Sequence, residues 1–177
     1  MNAKKINNNF EPYKRVVKFA GSAIIVLLEL AAYYYVWMNY YNRNMTVAFW
    51  RRGNWLIAGE YLILSLVLHR LYGGLKVGIY KYWTLVYSHM LSIVGVNAFS
   101  YVQVVLFDKK MHNPAALLGL TALDFVMVLL WALAFKKIYA AMFPKRRLLL
   151  IYGKKPMFHL VNRIDTRDDK YEIAENI

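Results

Sequence analysis

The sequence predicts an all-α membrane protein, a four-helix transmembrane bundle that leads into the truncated start of an α/β domain. Three observations carry this. Hydrophobic residues make up 59% of the 177, above the roughly 45–50% of a soluble globular domain. Four long apolar blocks fill residues 19–143, and about 20 apolar residues cross the roughly 30 Å of bilayer hydrocarbon. At Met142 to Gly153, MFPKRRLLLIYG, the composition turns charged, and Pro144 blocks continuation of a helix there.

The first element is a basic N-terminus, residues 1–18, in which Lys4, Lys5, Lys14, Arg15 and Lys18 face one acid, Glu11. The first span is predicted at 19–41. It follows a positive segment, as a signal peptide would. It is too long for a signal h-region, however, and has no small-residue cleavage site before Tyr33. Tyr33, Tyr34, Tyr35, Trp37, Tyr40 and Tyr41 end it as an aromatic belt suited to the headgroup level. A loop with Arg43, Arg51 and Arg52 follows; its Asn44-Met45-Thr46 sequon reads as a chance match so close to the bilayer.

The second span is predicted at 54–71 and ends with His69-Arg70. Tyr72-Gly73-Gly74-Leu75-Lys76-Val77-Gly78 lacks the Gly-Lys-Ser/Thr ending of a phosphate loop and reads as a flexible cytoplasmic connector. The third span, 82–107, is the most polar. After a short loop with Asp108, Lys109, Lys110 and His112, Asn113-Pro114 is a helix start, Asn as cap and Pro at the first helical position. The fourth span is predicted at 115–139.

Charge sets the orientation. With the N-terminus inside, the inner segments hold 18 Lys and Arg and the outer loops 5. Dropping everything after Arg147 still leaves 13 against 5. That bias places both ends in the cytoplasm. The net charge of +13 flanks apolar segments instead of forming one basic face, so nucleic acid is not the expected partner. Lys14, Arg15, Lys18, Lys136, Lys137, Lys145, Arg146 and Arg147 are the candidate contacts to anionic inner-leaflet lipid. The absence of Cys excludes disulfides, Cys-ligated zinc and thiol catalysis.

Residues 144–177 read as the opening of an α/β unit. Leu148 to Tyr152 is a strand closed by Gly153. Residues 156–165 form a short helix with Met157, Leu160, Val161 and Ile164 on one face, and Arg167 to Lys170 is a charged turn. Residues 171–177 are a second strand. Strand, helix, strand is how a right-handed parallel unit begins. One such unit cannot cover both faces of its sheet, so further chain beyond Ile177, a partner or the membrane is expected to cover it. The GxGxxG dinucleotide fingerprint is absent.

Glu29, Glu60 and Asp124 are acids predicted inside spans. A charge at mid-bilayer costs about 2.5–3.5 kcal/mol, so each should face the bundle. They serve either an ion path or headgroup site, or helix pairing by hydrogen bonds. No basic residue is predicted deep in a span to complement them, which favours pairing. His89, Ser92, Ser100 and Gln103 share one stripe of the third helix, with Ser88 and Gly95 beside it and Asn97 off it. Close packing is the first reading of that stripe and a lipid-headgroup groove the second. Ala115, Gly119 and Ala122 make a small-residue face on the fourth helix. His69 is placed at the membrane edge. With no two His at i, i+4, no metal site is recognisable, and no Ser-His-Asp or paired-carboxylate arrangement supports a catalytic assignment.

Four spans, the exit "IYAAMFPKRR", the strand "LLLIYG" and "LVNRIDTRDDKYEI" resemble the N-terminal part of the large bacterial polyprenyl-phosphate sugar-1-phosphate transferases, which initiate exopolysaccharide and capsule synthesis. "YGGLKVGIYK" and "NAFSYVQ" are also similar to that group. The resemblance implies a bundle followed by a Rossmann-like accessory domain, in the bacterial cytoplasmic membrane. It also implies a separate catalytic domain, with an Asp-Glu pair and Mg, that moves a sugar-1-phosphate from a nucleotide sugar to polyprenyl phosphate. No catalytic residue or cofactor of that domain maps onto this chain. The implied partners are membrane lipid, with polyprenyl phosphate a candidate, and either further copies of the chain or envelope polysaccharide-assembly proteins. The rival reading is a self-contained four-helix adaptor or lipid-linked sugar translocator.

Overall fold

The computed structural model describes residues 11–143, 146–150 and 171–176. After a short turn at Glu11–Tyr13 come four helices long and apolar enough to cross a membrane: α1 Lys14–Asn44, α2 Arg51–Tyr72, α3 Tyr82–Asp108 and α4 Ala115–Met142. All four predicted spans are present. The first differs most, because α1 begins at Lys14 and carries Lys14, Arg15 and Lys18 within the helix, ahead of the apolar block.

The helix ends follow local chemistry. α2 stops at Gly73, whose φ of 84° supplies the left-handed cap conformation that costs Gly nothing. α3 stops at Lys109, also left-handed. Asn113 Oδ1 accepts the Ala115 N–H at 2.9 Å, and the Leu118 N–H reaches the Pro114 carbonyl at 2.9 Å. The cap and first-turn proline read from the sequence are therefore in place. α4 ends two residues before Pro144, as a helix approaching proline does.

Residues 13–136 form one compact unit. Short connections set successive helices antiparallel. Its core has two clusters. One gathers Tyr33, Trp37 and Tyr41 of α1 with Ile57 and Tyr61 of α2, Val96 of α3 and Leu120 of α4. The other joins Ile25 and Val26 to Val86, Ile93, Val128 and Ala132. A widened stretch of α1 at Trp37–Tyr41 helps bring these rings inward. Tyr33 stacks on Tyr61 with ring centroids 3.9 Å apart and planes 11° from parallel. The predicted aromatic belt is thus split. Tyr33, Trp37 and Tyr41 are core residues, while Tyr35 is exposed.

Two further expectations are corrected. Ala115, Gly119 and Ala122 are exposed, and a Cβ on Gly119 would meet nothing within 4 Å. The buried face of α4 is instead Leu117, Leu120, Asp124, Val128 and Ala132, a spacing of three and four that follows the helix period. The glycine-rich bend is not a free connector. Ser22 Oγ donates to the Leu75 carbonyl at 3.1 Å, Val77 is buried, and Leu75 packs against the second cluster.

The second unit contains residues 137–177. Within it, Tyr139 and Phe143 are in ring contact. Strands β1 Arg146–Leu150 and β2 Tyr171–Asn176 pair in parallel. The register sets Arg146 opposite Tyr171 and Leu150 opposite Asn176, with an irregularity between Leu148 and Leu149. Arg146 and Arg147, read as part of the membrane exit, are strand residues. Lys145, the Gly153 turn, the 156–165 helix and the Arg167 to Lys170 turn lie outside the described residues. Among the described residues the sheet has these two strands alone, which do not show a Rossmann-like fold.

Candidate functional site: a buried carboxylate–histidine cluster

Three helices each bring one ionisable side chain to a common point. Glu29 of α1 is 1% exposed, and His69 of α2 and His89 of α3 are fully buried. His69 Nε2 lies 2.9 Å from His89 Nδ1 and 3.4 Å from Glu29 Oε2, and His89 Nδ1 lies 3.5 Å from the other carboxylate oxygen, Oε1. Among the described residues these form the one set of three His, Asp or Glu side chains placed to hold a metal ion.

The tautomer of His69 follows from its other nitrogen. Nδ1 lies 2.8 Å from the Ser65 carbonyl, which only accepts, so Nδ1 carries the proton. In the neutral ring Nε2 is then a bare lone pair facing Glu29 and His89. Glu29 Oε1 and His89 Nε2 are buried without a hydrogen-bond partner among the described residues. The bend covers this cluster closely. A Cβ on Gly74 would stand 2.8 Å from His69 Cδ2 and 3.5 Å from His89 Cδ2, so only glycine allows the approach.

A second buried network lies on α2, α3 and α4. Asn97 Nδ2 donates to Thr121 Oγ1 at 2.9 Å and reaches Asp124 Oδ2 at 3.4 Å. Tyr61 O–H donates to Asn97 Oδ1 at 3.1 Å. Asp124 is fully buried, and its Oδ1 has no partner among the described residues. Asn97, read as off the polar stripe, is 3% exposed and is the hub. Replacing Asn97 by Leu should therefore lower stability by about 1–3 kcal/mol, since Tyr61 and Asp124 lose partners they cannot replace in an apolar interior. Unfolding in detergent with and without the Tyr61→Phe change checks this. The two costs should be markedly less than additive.

The other predicted residues fall into place around these networks. Ser92 and Ser100 are buried, and each donates to a carbonyl of its own helix, Ser88 and Val96. Glu60 is half-buried, and its Oε2 accepts from Gln103 Nε2. All three intramembrane acids thus face other helices, as expected. The reading that no basic group lies deep enough to meet them is corrected for Glu29 alone, by His69 and His89. His69 is buried inside the bundle. Of the lipid-contact candidates, Arg15, Lys136 and Lys137 are exposed and Lys14 and Lys18 half-buried.

Sequence spacing missed the cluster because its three members sit on three helices. Protein-family models, characterised proteins and solved structures give no match to this chain.

Proposed function

We propose that this chain is the membrane-anchoring and assembly region of a bacterial sugar-1-phosphate transferase system. It holds a cytosolic catalytic domain beside polyprenyl phosphate, the acceptor of a sugar-1-phosphate from a nucleotide sugar. The transfer chemistry, with its Mg, belongs to a domain outside these 177 residues. The resemblance of the exit and strand segments supports this. The observation that carries it is the passage from a membrane-length helix, ending at Met142, to a parallel strand pair beginning at Arg146. Two parallel strands need cover on both faces, which supports reading them as part of a Rossmann-like α/β body.

Deleting the gene should abolish polyprenyl-phosphate-dependent release of nucleoside monophosphate from nucleotide sugars by native membranes. The purified chain should show no turnover with the same substrates and Mg. Phosphoryl transfer needs carboxylate-held metal and cations around a diphosphate, and Asp165, Asp168 and Asp169 already have Arg163, Arg167 and Lys170 beside them in sequence. Unchanged release by deleted membranes would favour the self-contained adaptor or translocator.

In this reading the protein sits in the cytoplasmic membrane with both ends inside. The chain has no cysteine, so single-cysteine labelling tests the topology cleanly. Cysteines at Thr46 and Met111 should react with an impermeant reagent from outside, and one at Lys76 should not. All three positions are exposed. The opposite pattern would reverse the orientation.

A further inference from the structure

We infer that Glu29, His69 and His89 bind one divalent first-row transition-metal ion inside the bundle. Two alternatives meet the same three side chains, a shared proton and a metal ion, and distance decides between them. The bare Nε2 of His69 and the Glu29 carboxylate are both acceptors, and one proton on His89 Nδ1 cannot serve both. A further proton or a cation must lie among them. If it were an extra proton, an imidazolium–carboxylate hydrogen bond would close to about 2.7–2.9 Å. The two carboxylate edges are instead 3.4 Å and 3.5 Å. Metal bonds of about 2.0–2.1 Å in tetrahedral array set neighbouring ligand atoms about 3.3 Å apart. The two nitrogens are 2.9 Å apart, and they stand 3.4 Å and 3.5 Å from the two different oxygens of Glu29, each separation near that value; one ligand atom from each residue lies within 4.8 Å of the other two.

The donor types agree. Two imidazoles and a carboxylate suit zinc and its first-row neighbours, and not magnesium or calcium, which take oxygen. A ligating His normally donates its other N–H to a carbonyl, and His69 Nδ1 does so to Ser65 at 2.8 Å. A bound cation also accounts for a carboxylate that is 1% exposed and whose Oε1 has no hydrogen bond among the described residues. Three protein ligands leave a fourth position for water or a substrate atom. The ion would join α1, α2 and α3 under the Gly74 bend, independently of whether the chain belongs to a sugar-transferase system.

The test uses the full chain in detergent, stripped with EDTA and reloaded with Zn2+ or Co2+. Wild type should retain one ion per chain after desalting, and Co2+ should give the intense visible bands of four-coordination, which Zn2+ abolishes. Glu29→Gln and His89→Gln should each weaken binding by more than the about 10–100-fold typical for loss of an outer-shell partner. Asp108→Asn with His112→Ala, which removes the pair at the other end of the bundle, should change neither stoichiometry nor spectrum. Folded wild type that retains no metal overturns the proposal. So does retention that survives Glu29→Gln and His89→Gln, or that depends on Asp108 and His112. If those two Gln variants fail to fold, the wild-type stoichiometry and Co2+ spectrum decide.

Discussion

In chelator-treated protein, the His69→Leu/His89→Leu double variant should be about 3–5 kcal/mol less stable than wild type, while Glu29→Leu should cost about 1 kcal/mol or less. The asymmetry follows from what each change leaves behind. Without Glu29, the two imidazoles still face one another at 2.9 Å. His89 Nδ1–H can donate to His69 Nε2, and His69 keeps Ser65, so no new buried acceptor is stranded. Without the two histidines, a carboxylate 1% exposed is left in an apolar bundle with neither counter-charge nor donor. It then either stays charged or takes up a proton that still lacks a partner, and both are costly. Leu matches His and Glu closely in volume, so cavity terms are small. The triple variant, with Glu29→Leu added, should regain most of the loss because the stranded charge is gone. Reversible unfolding of the four proteins in one detergent measures this. A double variant no worse than Glu29→Leu would mean that the acid and histidines are not energetically coupled.

The bundle itself was legible because its signals are local. Apolar length set the four spans, Asn113 and Pro114 marked the start of α4, and the stripe of His89, Ser92 and Ser100 pointed inward as the helix period requires. The errors concern relations between helices. Counted from the inner ends of the predicted spans, Glu29 lies about 15 Å along α1 at 1.5 Å per residue, but His69 only about 3 Å and His89 about 10 Å. Depth counted from the sequence therefore separates them. They meet because α1 begins at Lys14, before the apolar block, and because the bend folds over His69 instead of leaving it at the surface. The small residues of α4 misled for a different reason. In lipid the whole helix perimeter is apolar, so composition does not reveal which face packs. The polar residue Asp124 marked the buried side of α4, and Ala115 and Gly119 did not.

Trp37→Ala should destabilise the bundle by about 3 kcal/mol, the lower end of the range for removing a buried Trp. The lower end applies because lipid is as apolar as the core, so the loss is of packing contacts more than of transfer from water. Trp37 is 1% exposed. Its ring meets Phe49 edge-on at 5.7 Å, and its Nε1–H donates to Asn54 Oδ1 at 2.9 Å. Asn54 in turn donates to the Phe49 carbonyl at 3.1 Å, so one side chain ties the end of α1 to the start of α2 and to the loop between them. Truncation opens a cavity and leaves the Asn54 acceptor without that donor. Trp37→Phe separates the two effects. It keeps much of the ring and loses only the hydrogen bond, so about 1 kcal/mol is expected. Tyr35→Ala is the contrasting control, since Tyr35 is 70% exposed on the same helix. As a residue facing lipid or headgroups, it should leave unfolding in detergent nearly unchanged. Equal, small effects at Trp37 and Tyr35 would restore the aromatic-belt reading for both and remove Trp37 from the core.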